Sequence, residues 1–100
     1  MVNQKQNAVI EVLGLDKCVS ILSILLEENP CISIISGYLE ISMTMASYYT
    51  KRLHTAGLIK IELDRNDFRK RRLFLTPLGK DIIMRFKDGT LFDLASDTNP

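Results

Sequence analysis

Apolar and polar positions divide the chain into short helical stretches, two alternating stretches and a closing helix. Over residues 7–13, Val9, Ile10, Val12 and Leu13 give a short helix that Gly14 can end. Asp16 is placed to cap a second helix running to about Glu28. Cys18, Val19, Ile21, Leu22, Leu25 and Leu26 line one wide apolar face of it. Ile24 falls on the opposite side with Ser20, Ser23 and Glu27, either as an ordinary exposed apolar residue or as a contact for a partner. Asn29–Pro30 stops this helix, because the proline ring disfavours helical backbone in the residue before it. Residues 31–33 leave room for a very short strand.

Residues 34–58 organise the rest. Two short helical patterns meet there at Glu40, Ile41 and Ser42. Ile35, Leu39, Ile41, Ala46 and Tyr49 fall where two crossed helices share a small core, and Ser36 is small enough for close approach. Ser42 or Thr44 can cap the second helix, since a side-chain oxygen there accepts from an unpaired backbone N–H. That helix presents Met43, Thr44, Ser47, Tyr48 and Lys51 outward and ends near Gly57, with Ala56–Gly57 as C-cap. This is the layout of a helix-turn-helix, whose second helix enters the DNA major groove. Glu40 stands where the turn usually carries glycine.

Residues 58–64 then alternate, with Ile59, Ile61 and Leu63 on one side and Lys60, Glu62 and Asp64 on the other. Residues 71–75 alternate again, with Leu73 and Leu75 inward, and Asn66–Asp67 supplies turn chemistry between the two. The result is a β-hairpin with a positively charged tip. Thr76 and Pro77 are N-cap and first residue of a last helix, whose apolar face is Leu78, Ile82, Ile83 and Phe86 and which Asp88–Gly89 ends. Leu91, Phe92 and Leu94 suit a docked final turn, and residues 96–100 a disordered tail. The expected fold is mainly α with a small β-hairpin wing: a winged helix-turn-helix, one domain over residues 1–95.

Composition narrows the setting. One hundred residues make one domain with one modest core. The longest apolar run, residues 21–26, is broken by Ser23, which excludes a membrane span. No basic segment followed by a hydrophobic block opens the chain, so a cytoplasmic protein is expected. Cys18 and Cys31 sit inside apolar patterns without metal-ligand spacing and read as two reduced core cysteines. Residues 1–50 carry two basic and five acidic side chains, residues 51–87 eleven and four, and residues 88–100 none and three. A basic centre between acidic ends is the footprint of one DNA-facing surface, the alternative being an ordinary solvated charged face.

Catalytic chemistry has little support. His54, the one histidine, lies late in the second helix of the pair with no acidic or cysteine partner at useful spacing and reads as a solvent- or phosphate-facing side chain; no phosphate loop, metal cluster or nucleophile motif occurs. No enzyme, cofactor or metal is expected. Specific DNA binding instead needs phosphate contacts for affinity and base-edge contacts for specificity. Lys51, Arg52, Lys70, Arg71, Arg72 and the hydroxyls of Ser42 and Tyr48 suit phosphate. Thr44, Ser47, Tyr48 and Lys51 suit base edges, and Met43 a thymine methyl. Tyr48 also suits a structural role packed on the wing. Arg71 and Arg72 alternate in direction, so one of them at most faces the DNA side of the wing and the other can pair with Glu62 or Asp64.

Three short motifs carry a family resemblance: A-G-L-I at 56–59, D-F-R at 67–69 and L-T-P-L-G-K at 75–80. Together, over roughly residues 17–87, they resemble the DNA-binding domain of the MarR family of transcription regulators. The resemblance implies a recognition helix over residues 44–55 and a wing over 63–72. It also implies that Asp67 and Arg69 are the wing's D-x-R, the arginine reaching the minor groove and the aspartate helping to hold the wing. Members of that family usually run longer, with long helices at both ends that form a dimer and a ligand pocket, which leaves a small-molecule effector doubtful here. The expected function is that of a sequence-specific regulator of transcription bound to double-stranded DNA, most simply a repressor. It is expected to act as a homodimer built from the N-terminal helix and the C-terminal segment. The alternatives are a winged helix used for protein contacts and an architectural or replication-origin DNA binder.

Overall fold

Four helices and one hairpin follow one another in the computed structural model, which describes residues 15–89. They are α1 (Asp16–Leu25), α2 (Ile32–Leu39), α3 (Met43–Thr55), β1 (Ile59–Leu63), β2 (Arg71–Leu75) and α4 (Pro77–Asp88). The expected helix over 7–13, the apolar Leu91, Phe92 and Leu94 and the tail from 96 lie outside the described residues.

α1 buries Cys18, Ile21, Leu22 and Leu25, a three-and-four spacing that keeps one stripe inward. Its N-cap is Leu15 rather than Asp16, which is the first helical residue and offers its carboxylate to the positive end of the helix dipole. The helix stops at Leu25, short of Glu28. The amides of Leu26 and Glu27 bond three residues back, to Ser23 and Ile24, and tighten the last turn. Ile24 is half-buried and packs against the core rather than standing fully exposed. Cys31 pairs with Arg72 in a single bridge in place of a three-residue strand, and it is already the N-cap of α2.

The α2–α3 turn follows the expected helix-turn-helix, with Glu40 in the left-handed region at φ 54°. Ser36 does more than allow close approach: its hydroxyl donates to the Ile41 carbonyl at 2.6 Å, and its own carbonyl accepts from the Ile41 amide at 3.1 Å. Ser42, not Thr44, caps α3, accepting from the Met45 amide.

β1 and β2 pair antiparallel with Ile59 opposite Leu75, Ile61 opposite Leu73 and Leu63 opposite Arg71. Ile59 and Leu73 are buried, and Ile61 and Leu75 pack half-buried against the core. Two expectations fail at the far end of β1. Leu63 is 55% exposed, because the strand has run past the core, while Asp64 is only 7% exposed, drawn inward by its hydrogen bonds. On α4, Gly79, Ile82 and Ile83 are buried but Leu78 and Phe86 are exposed. Gly79 takes the inward place in the first turn, where a Cβ would collide with the Leu58 carbonyl, and Leu78 is turned aside.

The core joins α1, α2, α3, the hairpin base and α4, with Ile21, Leu22, Ile35, Leu53, Leu58, Leu73 and Ile83 fully buried. Cutting any of these leucines or isoleucines back to alanine costs about 2–5 kcal/mol. The two cysteines differ from the expectation that both belong to this core. Cys18 does, whereas Cys31 is half-exposed at the start of α2.

Candidate nucleic-acid interface

α3 is anchored by Ala46, Thr50 and Leu53, with the Thr50 hydroxyl satisfied by the Ala46 carbonyl at 2.7 Å. The opposite face carries Met43, Thr44, Ser47, Tyr48 and Lys51, all exposed. Its polar groups are hydroxyls and one ammonium, which donate and accept at base edges and phosphates. Ser42 stands at the head of the helix. Its oxygen accepts from Met45 while its hydroxyl hydrogen stays available, beside backbone N–H groups that favour an anion. Tyr48 packs edge-to-face on Tyr49, with ring centroids 5.3 Å apart, and the Arg52 guanidinium lies over its ring at 5.6 Å. Its ring contacts are thus with its own helix, while the ring stays 47% exposed. The same spacing continues to His54, which is exposed and, with Ile61, Leu63 and Arg71, lines a shallow open groove between α3 and the hairpin. His54, three residues on from Lys51, is thus solvent-facing late in the recognition helix, one of the two positions its sequence allowed.

The hairpin tip is closed by Asp64. One carboxylate oxygen accepts from the amides of Asn66 at 2.7 Å and Asp67 at 3.3 Å; the other accepts from Arg72 Nε at 2.7 Å. The Asp64 amide donates to the Lys70 carbonyl, and the Lys70 amide to the Asp67 carbonyl, both at 2.9 Å. The Arg72 hydrogen bond, followed by the backbone amides, holds the Asp64 carboxyl below the usual carboxylate range. Of the two carboxylates that sequence reasoning offered as the partner of the second arginine, Asp64 is the one used; what that reasoning missed is its inward position and its hold on the loop amides. An Asx-turn two residues before Asn66 signals it, but strand alternation assigned it to solvent.

Asp67 accepts from both the amide and the Nε of Arg69, at 3.0 and 3.2 Å, so the D-x-R pair is joined within the tip. The Arg69 side chain is nevertheless 92% exposed. Arg71 and Arg72 part as alternation requires. Arg71 is exposed beside the groove, while Arg72 binds Asp64 and also donates to the Asn29 carbonyl at 2.9 Å. Of the expected phosphate contacts, Lys51, Lys70 and Arg71 stand exposed, Arg52 is half-buried under Tyr48, and Arg72 fastens the wing. β1 packs against α3, and His54 near the end of α3 shares one groove with Ile61, Leu63 and Arg71 of the hairpin.

Among the described residues, no group of three or more His, Cys, Asp or Glu is placed to hold a metal ion. No helix there is long and apolar enough to cross a membrane.

No family model matches the sequence. No curated protein matches it either. Solved structures do. The heme sensor protein PefR from Streptococcus agalactiae, in complex with heme, is 27% identical with a TM-score of 0.73 over 90% of this chain and 61% of its own. S. aureus MepR in its DNA complex is 21% identical with a TM-score of 0.73 over 95% and 78% of the two chains. The transcriptional regulator BldR from Sulfolobus solfataricus is 19% identical with a TM-score of 0.71 over 95% and 68%. The chain spans about three fifths of the length of the heme sensor it matches. Both the element order and these likenesses give the chain the winged helix-turn-helix fold of the MarR-like regulators.

Proposed function

We propose that the chain is a sequence-specific transcription regulator that binds double-stranded DNA. The observation that carries this reading is an exposed polar face on α3 together with a basic, hydrogen-bonded tip on the hairpin that packs against α3. α3 lies in the major groove, with Thr44, Ser47, Tyr48 and Lys51 at base edges and Met43 against a thymine methyl. Ser42 and the head of α3 take a phosphate, as do Lys70 and Arg71, with Arg52 acting through its stack on Tyr48. Arg69 enters the minor groove, where the negative potential of a narrow groove favours a guanidinium. Asp67 orients it.

A single module of this size buries roughly 600–1,000 Å² of protein surface on DNA, which favours two copies on two half-sites about 34–36 Å apart. The reading is therefore a homodimer in the cytoplasm that represses by occupying a promoter. Selection of bound sites from random duplexes tests it. A palindromic consensus is expected, bound with Arg69→Ala weakened about tenfold and its folding unchanged. Binding that ignores sequence would instead support an architectural role, and no binding to duplex at moderate salt would overturn the reading.

A further inference from the structure

Phe68 is the most exposed large apolar side chain among the described residues, at 74%. It sits between Asp67 and Arg69, at the extreme of the wing. An exposed aromatic on a frayed loop would mean little, but this loop is fastened. Asp64 and Asp67 between them take the amides of Asn66, Asp67, Arg69 and Lys70, and Arg72 fixes the closing carboxylate to β2. The ring is therefore held out into solvent by a preformed scaffold.

Its surroundings say what it meets. Arg65, Arg69, Lys70 and Arg71, all within three residues of it, are exposed. The carboxylates nearby, Asp64 and Asp67, are already engaged by Arg72 and Arg69. An apolar point among cationic neighbours repels a second wing tip and fits a polyanion that has apolar surface between its charges. A DNA minor groove has that character: phosphates on both walls, with sugar faces and stacked bases between them. Phenylalanine has no hydrogen-bonding group, so it reads no base edge, but it can press on a base step that opens easily. Pyrimidine–purine steps are the most easily kinked, and apolar wedges in the minor groove bend DNA toward the major groove.

We propose that Phe68 is an apolar wedge that enters the minor groove beside Arg69 and presses on a flexible pyrimidine–purine step, so that the wing reads the deformability of the duplex. This rests on the DNA-binding reading above and adds to it a second source of specificity, independent of hydrogen bonds to bases. Preferred sites carry a TA or CA step where the wing lands, and bound DNA is bent there.

The test uses the full chain and its selected duplex in two forms, one with a TA step and one with an AA step in the wing-facing flank. 2-Aminopurine in the step reports unstacking, and end-to-end energy transfer reports bending. The expected result is brighter 2-aminopurine and a bend with wild type, and binding to the TA duplex roughly tenfold tighter than to AA. Phe68→Ala should lose the fluorescence change, the bend and the preference together, while Phe68→Leu retains most of each. Both variants should melt like wild type, since the ring is outside the core. Phe68→Ala that binds, bends and discriminates like wild type overturns the wedge and leaves the DNA reading standing. Wild type that binds no duplex overturns both. Binding to phosphatidylglycerol vesicles that is lost in Phe68→Ala, with DNA signals unchanged, assigns the ring to a membrane surface and also overturns the wedge.

Discussion

The Asp64 carboxylate and the Arg72 guanidinium, 2.7 Å apart, connect the inside of the wing to the body of the domain. On one side Asp64 closes the loop through the amides of Asn66 and Asp67. On the other, Arg72 donates to the Asn29 carbonyl, in a segment where Asn29 Nδ2 also donates to the Leu73 carbonyl and the Leu73 amide to that of Pro30. The wing is thereby positioned from the α1–α2 connection, far away in sequence, and Asp64 fastens the loop that carries Arg69 and Phe68.

Asp64→Ala should consequently behave as a wing variant without being a contact residue. Amide exchange at Asn66 and Asp67 is expected to accelerate while the helices keep their protection, and DNA binding should weaken about tenfold, the scale of one lost specific contact. The pH dependence has a definite sign. Because the folded Asp64 carboxyl lies below its ordinary value, its contribution is present above about pH 4 and fades as pH falls toward the lower folded value. Amide signals of Asn66 and Asp67 followed from pH 7 to pH 3 should hold steady and then shift together. Unchanged exchange in Asp64→Ala would remove this residue from wing control.

Glu40 offers a gain in stability. It holds φ 54° in the helix-turn-helix turn, where a Cβ costs a non-glycine residue roughly 1–2 kcal/mol. Glycine removes that strain and adds back about 0.5–1 kcal/mol of unfolded-chain entropy. Glu40→Gly should therefore raise stability by up to about 1 kcal/mol, read as a higher denaturant midpoint at unchanged slope, with DNA binding unaltered. A lower midpoint would mean that the Glu40 side chain makes a contact worth more than the strain.

The parts of this fold legible in the sequence are those signalled locally. Ser42 and Thr76 cap the helices that follow them, Gly89 adopts the left-handed region at φ 75°, and the hairpin pairs where alternation places it. The helix-turn-helix is legible despite Glu40, since Ser36 fastens the turn whichever residue stands in the left-handed position. What alternation misplaces is decided by tertiary packing and by hydrogen bonds across the hairpin. Asp64 turns inward for Arg72, Leu63 is exposed because the core ends at Ile61 and Leu73, and Leu78 yields its place to Gly79 because Leu58 passes close to the helix. The exposed face of α3 was legible as a periodicity, and it extends to His54, which the sequence already placed late in that helix as a solvent- or phosphate-facing side chain.

Gly79 explains part of the L-T-P-L-G-K motif and yields a stability prediction. The Thr76 amide donates to the Leu58 carbonyl at 3.1 Å, the Thr76 hydroxyl to the Gly57 carbonyl at 2.7 Å, and the Gly79 amide to the Thr76 hydroxyl at 3.0 Å. The start of α4 is thus pinned against the end of α3, and Gly79 faces the Leu58 carbonyl where no Cβ fits. Alanine is the better helix former by about 1 kcal/mol, yet Gly79→Ala should destabilise by about 1–3 kcal/mol through overpacking. A thermal melt decides the sign, and an unchanged or higher midpoint would refute the close approach.

On the recognition face, base-edge and phosphate roles separate by their salt dependence. Ser47→Ala and Tyr48→Ala should narrow the gap between selected and random duplex at fixed salt. Tyr48→Ala should also release Arg52 from its stack, so its loss should exceed that of Ser47→Ala. Lys51→Ala, if it holds phosphate, should weaken both duplexes together and flatten the salt slope by about one unit. Competition titrations at several salt concentrations measure all three, and wild-type preference in every variant would mean that another face reads the DNA.

The two thiols should react very differently. Burial pushes the Cys18 thiol up to about 11, only partly opposed by the nearby Arg52 charge. Cys31 is half-exposed at the N-cap of α2, and its hydrogen bond with the Ser33 hydroxyl at 3.1 Å draws its thiol below the ordinary value. The thiolate is the reactive form, so access and acidity both favour Cys31. Pulse labelling with an alkylating reagent near pH 7.5, read by mass spectrometry, should modify Cys31 within the native state and Cys18 only as fast as the domain opens globally. The labelling rate of Cys31 should rise with pH to a midpoint below about 8.5, the usual thiol value, and Ser33→Ala should move that midpoint upward. Denaturant should accelerate Cys18 steeply and Cys31 little. Equal labelling of the two in the native protein would contradict both the burial of Cys18 and the exposure of Cys31.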